Sequence, residues 1–311
     1  MKDREIENSE NNDMDEQQII KWLKKHCKPI RDEVILGIGD DTAVIDYSND
    51  TYLLLTTDVV VDRVHFISGR VSPYGIGWKA LGVNISDIAA MGGIPLWALV
   101  SVGMEKNKSD ICKKIYKGIL DLAKQFNIDI VGGNLSRSEV LFINIFLAGI
   151  VKKEDLVLRS TGKPNDILFV TGTLGGAQKR KQFSFIPRIH EAKKIIEIVK
   201  PSAMIDLSDG LASDAKKLAE ASNCGFEIEA ERIPVSADAS RKNKIFSALY
   251  DGEDYELLFA VSPEYESLIP DSINNVSITK IGRLTEKKQF LLRYQNGHKS
   301  KISEEEFKHF T

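Results

Sequence analysis

The chain has 311 residues, long enough for two domains with separate cores, and 42% of them are hydrophobic, as in globular proteins. Its 42 Lys and Arg against 45 Asp and Glu leave a net charge of −3, which argues against a nucleic-acid footprint spread over a whole face. No apolar run approaches membrane-span length, the opening residues are too polar and acidic for a signal peptide, and Cys27, Cys112 and Cys224 have no paired spacing for disulfides or zinc, so a cytoplasmic setting is expected.

In chain order, residues 1–14 are charged and Asn-rich and are expected to be a flexible tail. Ile19, Ile20, Trp22 and Leu23 then form an apolar stripe that predicts a helix from Asp15 to Cys27. The stretch Gly37 to Val44, GIGDDTAV, puts two adjacent acids after two glycines. A Gly-Asp turn capping a hairpin explains it without function, and a carboxylate site explains it with one. Thr51 to Val61 reads as a strand that carries Thr56, Thr57 and Asp58 at its end. Ser72-Pro73 opens a helix that runs to about Met91, stopped by Gly92-Gly93, with Asn84 and Asp87 side by side on one face.

Leu96 to Val102 is a strand, Ser109 to Phe126 a helix, Ile128 to Val131 a short buried strand, and Val140 to Val151 a long one. Gly132-Gly133-Asn134 and Ser136-Arg137-Ser138 read as a turn that either approaches a phosphate closely or needs no function at all. The charged run Lys152 to Asp155 marks the domain boundary, giving an N-terminal domain over 15–151 and a C-terminal domain over 152–311. Asp166 to Thr171 is a strand followed by the glycine-rich Gly172 to Gly176, which meets no Walker spacing. The strand ending in Asp206, with Ser208 or Asp209 capping the next helix, repeats the acid-at-a-turn theme. Asp251-Gly252-Glu253-Asp254 repeats it again before a strand over Tyr255 to Ala260. A strand around Gln289 to Tyr294 and an amphipathic segment over Glu304 to Phe310 close the chain, and Cys112 and Cys224 fall in helical patterns as small buried hydrophobes. The interleaving of helices and strands makes the fold α/β or α+β.

Asp40, Asp41, Asp58, Asp87, Asp206, Asp209 and Glu253 all sit at strand ends, glycine turns or a helix face. Several carboxylates that converge must be protonated, paired or bridged by cations, and hard Mg²⁺ together with phosphate oxygens suits such a donor set. Thr56, Thr57 and Ser208 add neutral oxygens.

The motifs GIGDDTAV, TTDVVVDRVHF, WKALGVNISDIAAMGG, VGGNLSRS, LRSTGKPND, IDLSDGLASD and GEDYEL, with the terminal KHF, occur in one order along most of the chain. In this the chain resembles the thiamine-monophosphate kinases, of the superfamily that includes aminoimidazole ribonucleotide synthase, selenophosphate synthetase and a hydrogenase-maturation protein. The resemblance implies a two-domain aminoimidazole ribonucleotide synthase-like fold whose N-terminal sheet forms a barrel across a homodimer. It implies ATP as co-substrate and several Mg²⁺ ions, with the γ-phosphoryl group passed directly to thiamine monophosphate to give thiamine diphosphate, without a covalent nucleophile, nucleic acid or membrane. Carried over by motif, Asp40, Asp41, Thr56, Thr57, Asp58, Asp87, Asn134, Asp206 and Asp209 fall at metal positions. Gly133, Asn134, Arg159 and Ser208 fall at ATP positions, and His65, Glu253 and Phe307 at substrate positions. The chain departs from the family where Gly133-Asn134 replaces Gly-Asp, removing one charge from the nucleotide side, and where Asp251 replaces a glycine. Two other readings stay open: a different ATP-dependent synthase of the superfamily, and an ATP-binding homologue impaired in catalysis.

Overall fold

The computed structural model describes residues 16–302; the expected tail over 1–14, the expected segment over Glu304 to Phe310, and Phe307 within it lie outside them. The first half contains α1 (Glu16–His26), β1 (Val34–Leu36), β2 (Ala43–Asp46), β3 (Thr51–Val61), α2 (Pro73–Ala90), β4 (Ile94–Met104), α3 (Ser109–Phe126), β5 (Asp129–Arg137) and β6 (Phe142–Lys152). These strands form one sheet in the order β1-β2-β3-β6-β4-β5, antiparallel except for the β4–β5 pair that α3 connects. The sheet does not close on itself within the chain.

Helix α2 forms where the sequence signals it. Ser72 Oγ accepts a hydrogen bond from Gly75 N at 3.0 Å, Pro73 occupies the first turn, and Gly92 at φ +75° follows the last turn. Nearly every residue of α2 is buried, because it lies against β3 and β6 on one side and β8 (Ala203–Asp206) on the other. Glycine permits its approach to α3: a Cβ at Gly77 would sit 1.9 Å from Ile115 O.

The second half adds β7 (Ile167–Thr171), α4 (Ile189–Ile198), β8, α5 (Leu211–Ala221), β9 (Gly225–Glu229), α6 (Lys244–Tyr250), β10 (Leu257–Val261), β11 (Ser272–Ile273), β12 (Val276–Thr285), β13 (Phe290–Arg293) and β14 (Lys299–Lys301). Its sheet runs β14-β13-β9-β12-β7-β10-β8, with β11 beside β12. Phe169, Met204 and Phe259 face the core shared with α2, while Leu168, Ile205 and Leu258 face a second core with α5. Such two-sided burial explains why these strands read as continuous apolar runs rather than as alternation. Among the described residues no helix is long and apolar enough to cross a membrane.

Two expectations need correction. The segment after Asn127 is not a short buried strand with a Gly-Gly-Asn turn but one exposed edge strand, β5, that continues through Gly132, Gly133 and Asn134 to Arg137. A Cβ at Gly133, whose φ is +149°, would lie 1.8 Å from Val100 O, so the glycine serves close pairing with β4 rather than a turn. Cys224 is buried as expected but lies beyond the end of α5, not within a helix.

Candidate active site

Gly37 to Thr42 connects the antiparallel strands β1 and β2, so the hairpin reading of this stretch is correct. The same turn carries Asp40 and Asp41 to a cation that no local sequence window contains. Arg159 Nε lies 3.0 Å from Asp40 Oδ1, the Arg159 backbone N donates to Asp40 Oδ2 at 3.1 Å, and Arg159 Nη2 pairs with Asp41 Oδ1. Burial works against the Arg159 cation, but the carboxylates of Asp41 and Asp40 outweigh it and hold its pKa above the ordinary range.

Asp41 meets two further acids delivered by different elements. Asp87 comes from the last turn of α2 and Asp206 from the end of β8, and one carboxylate oxygen of each of the three lies within 4.8 Å of the others. Asp58, from β3, is hydrogen-bonded to Asp87 and adds a fourth carboxyl. Neighbouring donors fix the group: Thr56 Oγ1 donates to Asp87 Oδ2 at 2.5 Å and Ser86 Oγ to Asp206 Oδ2 at 2.6 Å. The Asp58 backbone N donates to Asn84 Oδ1 at 3.1 Å. Asn84 is thus a buried strut for β3 and not a solvated polar residue.

Bringing these acids together out of water is costly, and their proton affinities record it. Burial, with the negative charges of Asp206 and Asp40 in support and Arg159 in opposition, pushes Asp41 well above the usual carboxylate range. Burial and the charges of Asp58 and Asp206 do the same to Asp87. Burial moves Asp206 up to about 7, although the Ser86 hydroxyl opposes it. Asp41 Oδ2 and Thr42 Oγ1 are buried with no hydrogen-bond partner. Hard oxygens, excess negative charge and an orphaned carboxylate oxygen are the conditions a divalent cation relieves, so the donor set fits Mg²⁺.

A pocket of about 240 Å³ adjoins this group and is lined by Asp58, His65, Lys79, Ser208, Asp209 and Glu253, among others. Glu253 sits on a strained turn, at φ +62° after Gly252 at φ +66°. The glycine-rich Gly172 to Gly176 anchors that turn instead of cradling phosphate. Gly175 N donates to both oxygens of Asp254, at 3.0 and 2.9 Å, and Gly176 N donates to Asp251 Oδ2 at 2.9 Å. The two acids flanking Glu253 therefore occupy the backbone amides that a phosphate would otherwise claim. His65 Nδ1 accepts from Val61 N at 3.1 Å, which turns its ring back onto the end of β3.

Other expected residues lie outside the three converging acids. Asp209 pairs with Lys217 and Ser208 lines the pocket, but neither caps α5; its N-cap is Gly210, and Asp214 accepts from Asp209 N at 2.9 Å. Thr57 faces the side of the sheet opposite Thr56 and accepts from Asn144 Nδ2 at 3.1 Å. Asn134 is exposed on edge strand β5, in register with Ser101 and Asn144, on the same outer face as Thr57. Thr57, Gly133 and Asn134 are thus not gathered around the three converging acids. Sequence reasoning missed Lys79, Ser86, Asp214 and Lys217. Lys79 had a readable signal, since it and Asp87 are the only charged residues of α2.

The match to family models covers residues 39–151 as the AIR synthase related protein N-terminal domain and residues 143–295 as the corresponding C-terminal domain. The thiamine-monophosphate kinase of Rhodopirellula baltica is 37% identical over 284 residues, covering 86% of this chain and 89% of that protein. That of Bacillus subtilis is 35% identical over 306 residues, covering 89% and 94%. The solved structure of AaThiL complexed with AMPPCP and TMP matches with a TM-score of 0.82 at 32% identity over 95% of this chain and 97% of that one. The chain belongs to the thiamine-monophosphate kinase family.

Proposed function

We propose that this chain phosphorylates thiamine monophosphate with ATP, giving thiamine diphosphate and ADP by direct in-line transfer. The observation that carries the reading is the convergence of Asp41, Asp87 and Asp206 within 4.8 Å, beside a pocket that presents Glu253, in a chain closely related to kinases of that name. Donor and acceptor are both phosphates, so no general base is required and the task is to bring like charges together. Bound Mg²⁺ would supply charge neutralisation for the approaching phosphates.

Asp41, Asp87, Asp206 and Asp58 would hold the cations, with Thr56 keeping Asp87 oriented. Asp40 holds Arg159 through its side chain and its backbone, so we assign Asp40 to positioning Arg159 toward ATP. Ser208 and Asp209 line the same pocket on its C-terminal side. Glu253 offers a carboxylate to the cationic thiazolium, with His65 lining the same pocket. Chain segments 15–151 and 152–311 act as the two domains.

We further assign the chain to a homodimer. The outer face of the first sheet exposes Val59, Trp97 and Leu99, and edge strand β5 exposes Val131 and Leu135. A second copy placed there would cover an apolar surface, pair an open edge and complete a barrel. In that assembly Thr57, Gly133 and Asn134 lie at the join, which is where we place the remaining nucleotide contacts. A cytoplasmic setting, which supplies ATP and Mg²⁺, accords with this reading.

The test is incubation with ATP, Mg²⁺ and thiamine monophosphate, followed by chromatography. Thiamine diphosphate and ADP appear in equal amounts if the reading holds. Absence of thiamine diphosphate under every metal condition refutes it, and turnover of formylglycinamidine ribonucleotide instead assigns a synthase.

A further inference from the structure

Lysine 79 is the one cation of α2, and its side chain is only 1% exposed. An ammonium group is seldom buried without several partners, because its hydration is lost. Here Nζ lies 2.7 Å from Glu253 Oε2, donates to Gln182 Oε1 and reaches the backbone oxygen of His65 at 3.3 Å. The Phe183 ring lies 5.6 Å away, over the same ammonium. These four groups come from three separate segments of the chain. The Glu253 turn and the segment with Gln182 and Phe183 belong to the second half, while His65 follows β3.

Tyr255 converges on the same carboxylate oxygen, its hydroxyl donating to Glu253 Oε2 at 2.6 Å. Lys79 and Tyr255 thereby tie down Oε2 of a carboxylate whose residue lines the pocket. The tie is needed because the Glu253 backbone is in the left-handed region and the carboxylate is repelled by Asp58 across the pocket. Burial lowers the proton affinity of Lys79, but Glu253 and Asp58 oppose that fall, consistent with an ammonium held by its acidic neighbours.

We propose that Lys79 is a positioning residue that sets the enzyme's affinity for the cationic acceptor, by holding the Glu253 carboxylate and the His65 backbone in one geometry. This rests on the reading that Glu253 and His65 meet the thiazolium end of the substrate. A simple screening role would have the opposite sign, since removing a cation next to a cationic ligand's subsite strengthens attraction. Positioning prevails here because without Lys79 the Glu253 charge faces Asp58 unmatched and its strained turn loses a principal anchor.

The experiment compares steady-state kinetics of the wild-type enzyme with Lys79→Met and the milder Gln182→Leu, which removes one of the ammonium's acceptors. Losing a charge-assisted contact of this kind raises KM for thiamine monophosphate roughly ten- to a hundredfold in Lys79→Met, with KM for ATP and kcat at saturation within about twofold. Gln182→Leu shifts the same KM in the same direction by a smaller factor. A neutral-ring analogue of the substrate, its thiazolium replaced by an uncharged aromatic ring, separates charge recognition from general damage, because its KM moves less than that of the cationic substrate. An unchanged or lowered KM for the cationic substrate overturns the proposal, as does an equal loss for both acceptors or for ATP. If Lys79→Met does not fold, an unshifted KM in Gln182→Leu overturns it. A wild-type enzyme that makes no thiamine diphosphate overturns the functional reading instead, and the substrate role of Glu253 with it.

Discussion

Replacing Asp87 with Asn removes one charge from the acidic group while keeping its shape, and it should stabilise the metal-free protein while disabling the enzyme. Two unit charges 4.8 Å apart, the span of the group, repel by about 3.5 kcal/mol at an effective dielectric of about 20. Asp87 faces Asp58 as well as Asp206 and Asp41, so with every group charged the repulsion would exceed about twice that figure. Arg159 neutralises much of the Asp41 charge, burial raises the proton affinity of Asp87 itself, and burial leaves Asp206, pushed up to about 7, partly protonated near neutrality, so only part of this repulsion is present. The expected gain is therefore roughly 1–3 kcal/mol at about pH 8, a rise of roughly 2–5 °C in Tm for a chain of this size. Its pH dependence follows from the direction of the shifts. Carboxyls with raised pKa keep protons in the folded state that the unfolded chain has released, so their stability contribution is complete below about pH 4 and lost as pH rises through the folded-state pKa, which is about 7 for Asp206 and is raised in the same direction for Asp87 and Asp41. The advantage of Asp87→Asn should accordingly fade by about pH 5. Thermal melts in EDTA and in millimolar Mg²⁺, at both pH values, measure this. The parent gains stability from Mg²⁺ at the higher pH, whereas the variant gains little and loses activity by at least about a hundredfold. A variant less stable than its parent in EDTA at about pH 8, or one with the full Mg²⁺ shift, would refute convergence of these acids on a cation site.

Glu256, which is 1% exposed, holds Arg188 through two bonds of 2.7 Å and Lys181 at 2.7 Å, so Glu256→Gln should cost about 3–5 kcal/mol and lower Tm by roughly 5–8 °C in calorimetry. A change below about 1 °C would mean these pairs contribute little. Asn134→Asp should lower the Mg²⁺ concentration for half-maximal rate, read from metal titrations at saturating substrates; an unchanged midpoint places residue 134 outside the metal system. Leu99→Glu puts a charge on the exposed face of the first sheet and should yield a folded monomer in sedimentation equilibrium, while a persistent dimer excludes that face as the interface.

The elements were legible because their signals are local. The Ser72-Pro73 start and Gly92 stop bound α2 within a turn, and β3 occupies its expected span because Val, Leu and Thr dominate it. The acids were legible as candidates because a carboxylate within or at the end of an apolar strand lacks a structural excuse, as at Asp58 inside β3 and Asp206 at the end of β8. Their partners were not legible. Arg159 lies 119 positions from Asp40, Gln182 lies 103 from Lys79, and Ser86 lies 120 from Asp206, so each pairing depends on how two sheets close over α2. The Gly172 to Gly176 turn shows the same limit in reverse. Its amides bind acids, but whether those acids belong to a nucleotide or to Asp251 and Asp254 is decided by a loop some eighty residues away. Glycine at 133 likewise signals close backbone approach, and only strand register reveals that the approaching group is Val100 O of the neighbouring strand. Local chemistry thus identifies which groups demand a counterpart, while the counterpart itself is fixed by tertiary distance. A buried carboxylate whose counterpart the fold does supply, such as Asp40 with Arg159, has its charge matched within the chain. One left unmatched, such as Asp41 Oδ2, is where an external cation has most to offer.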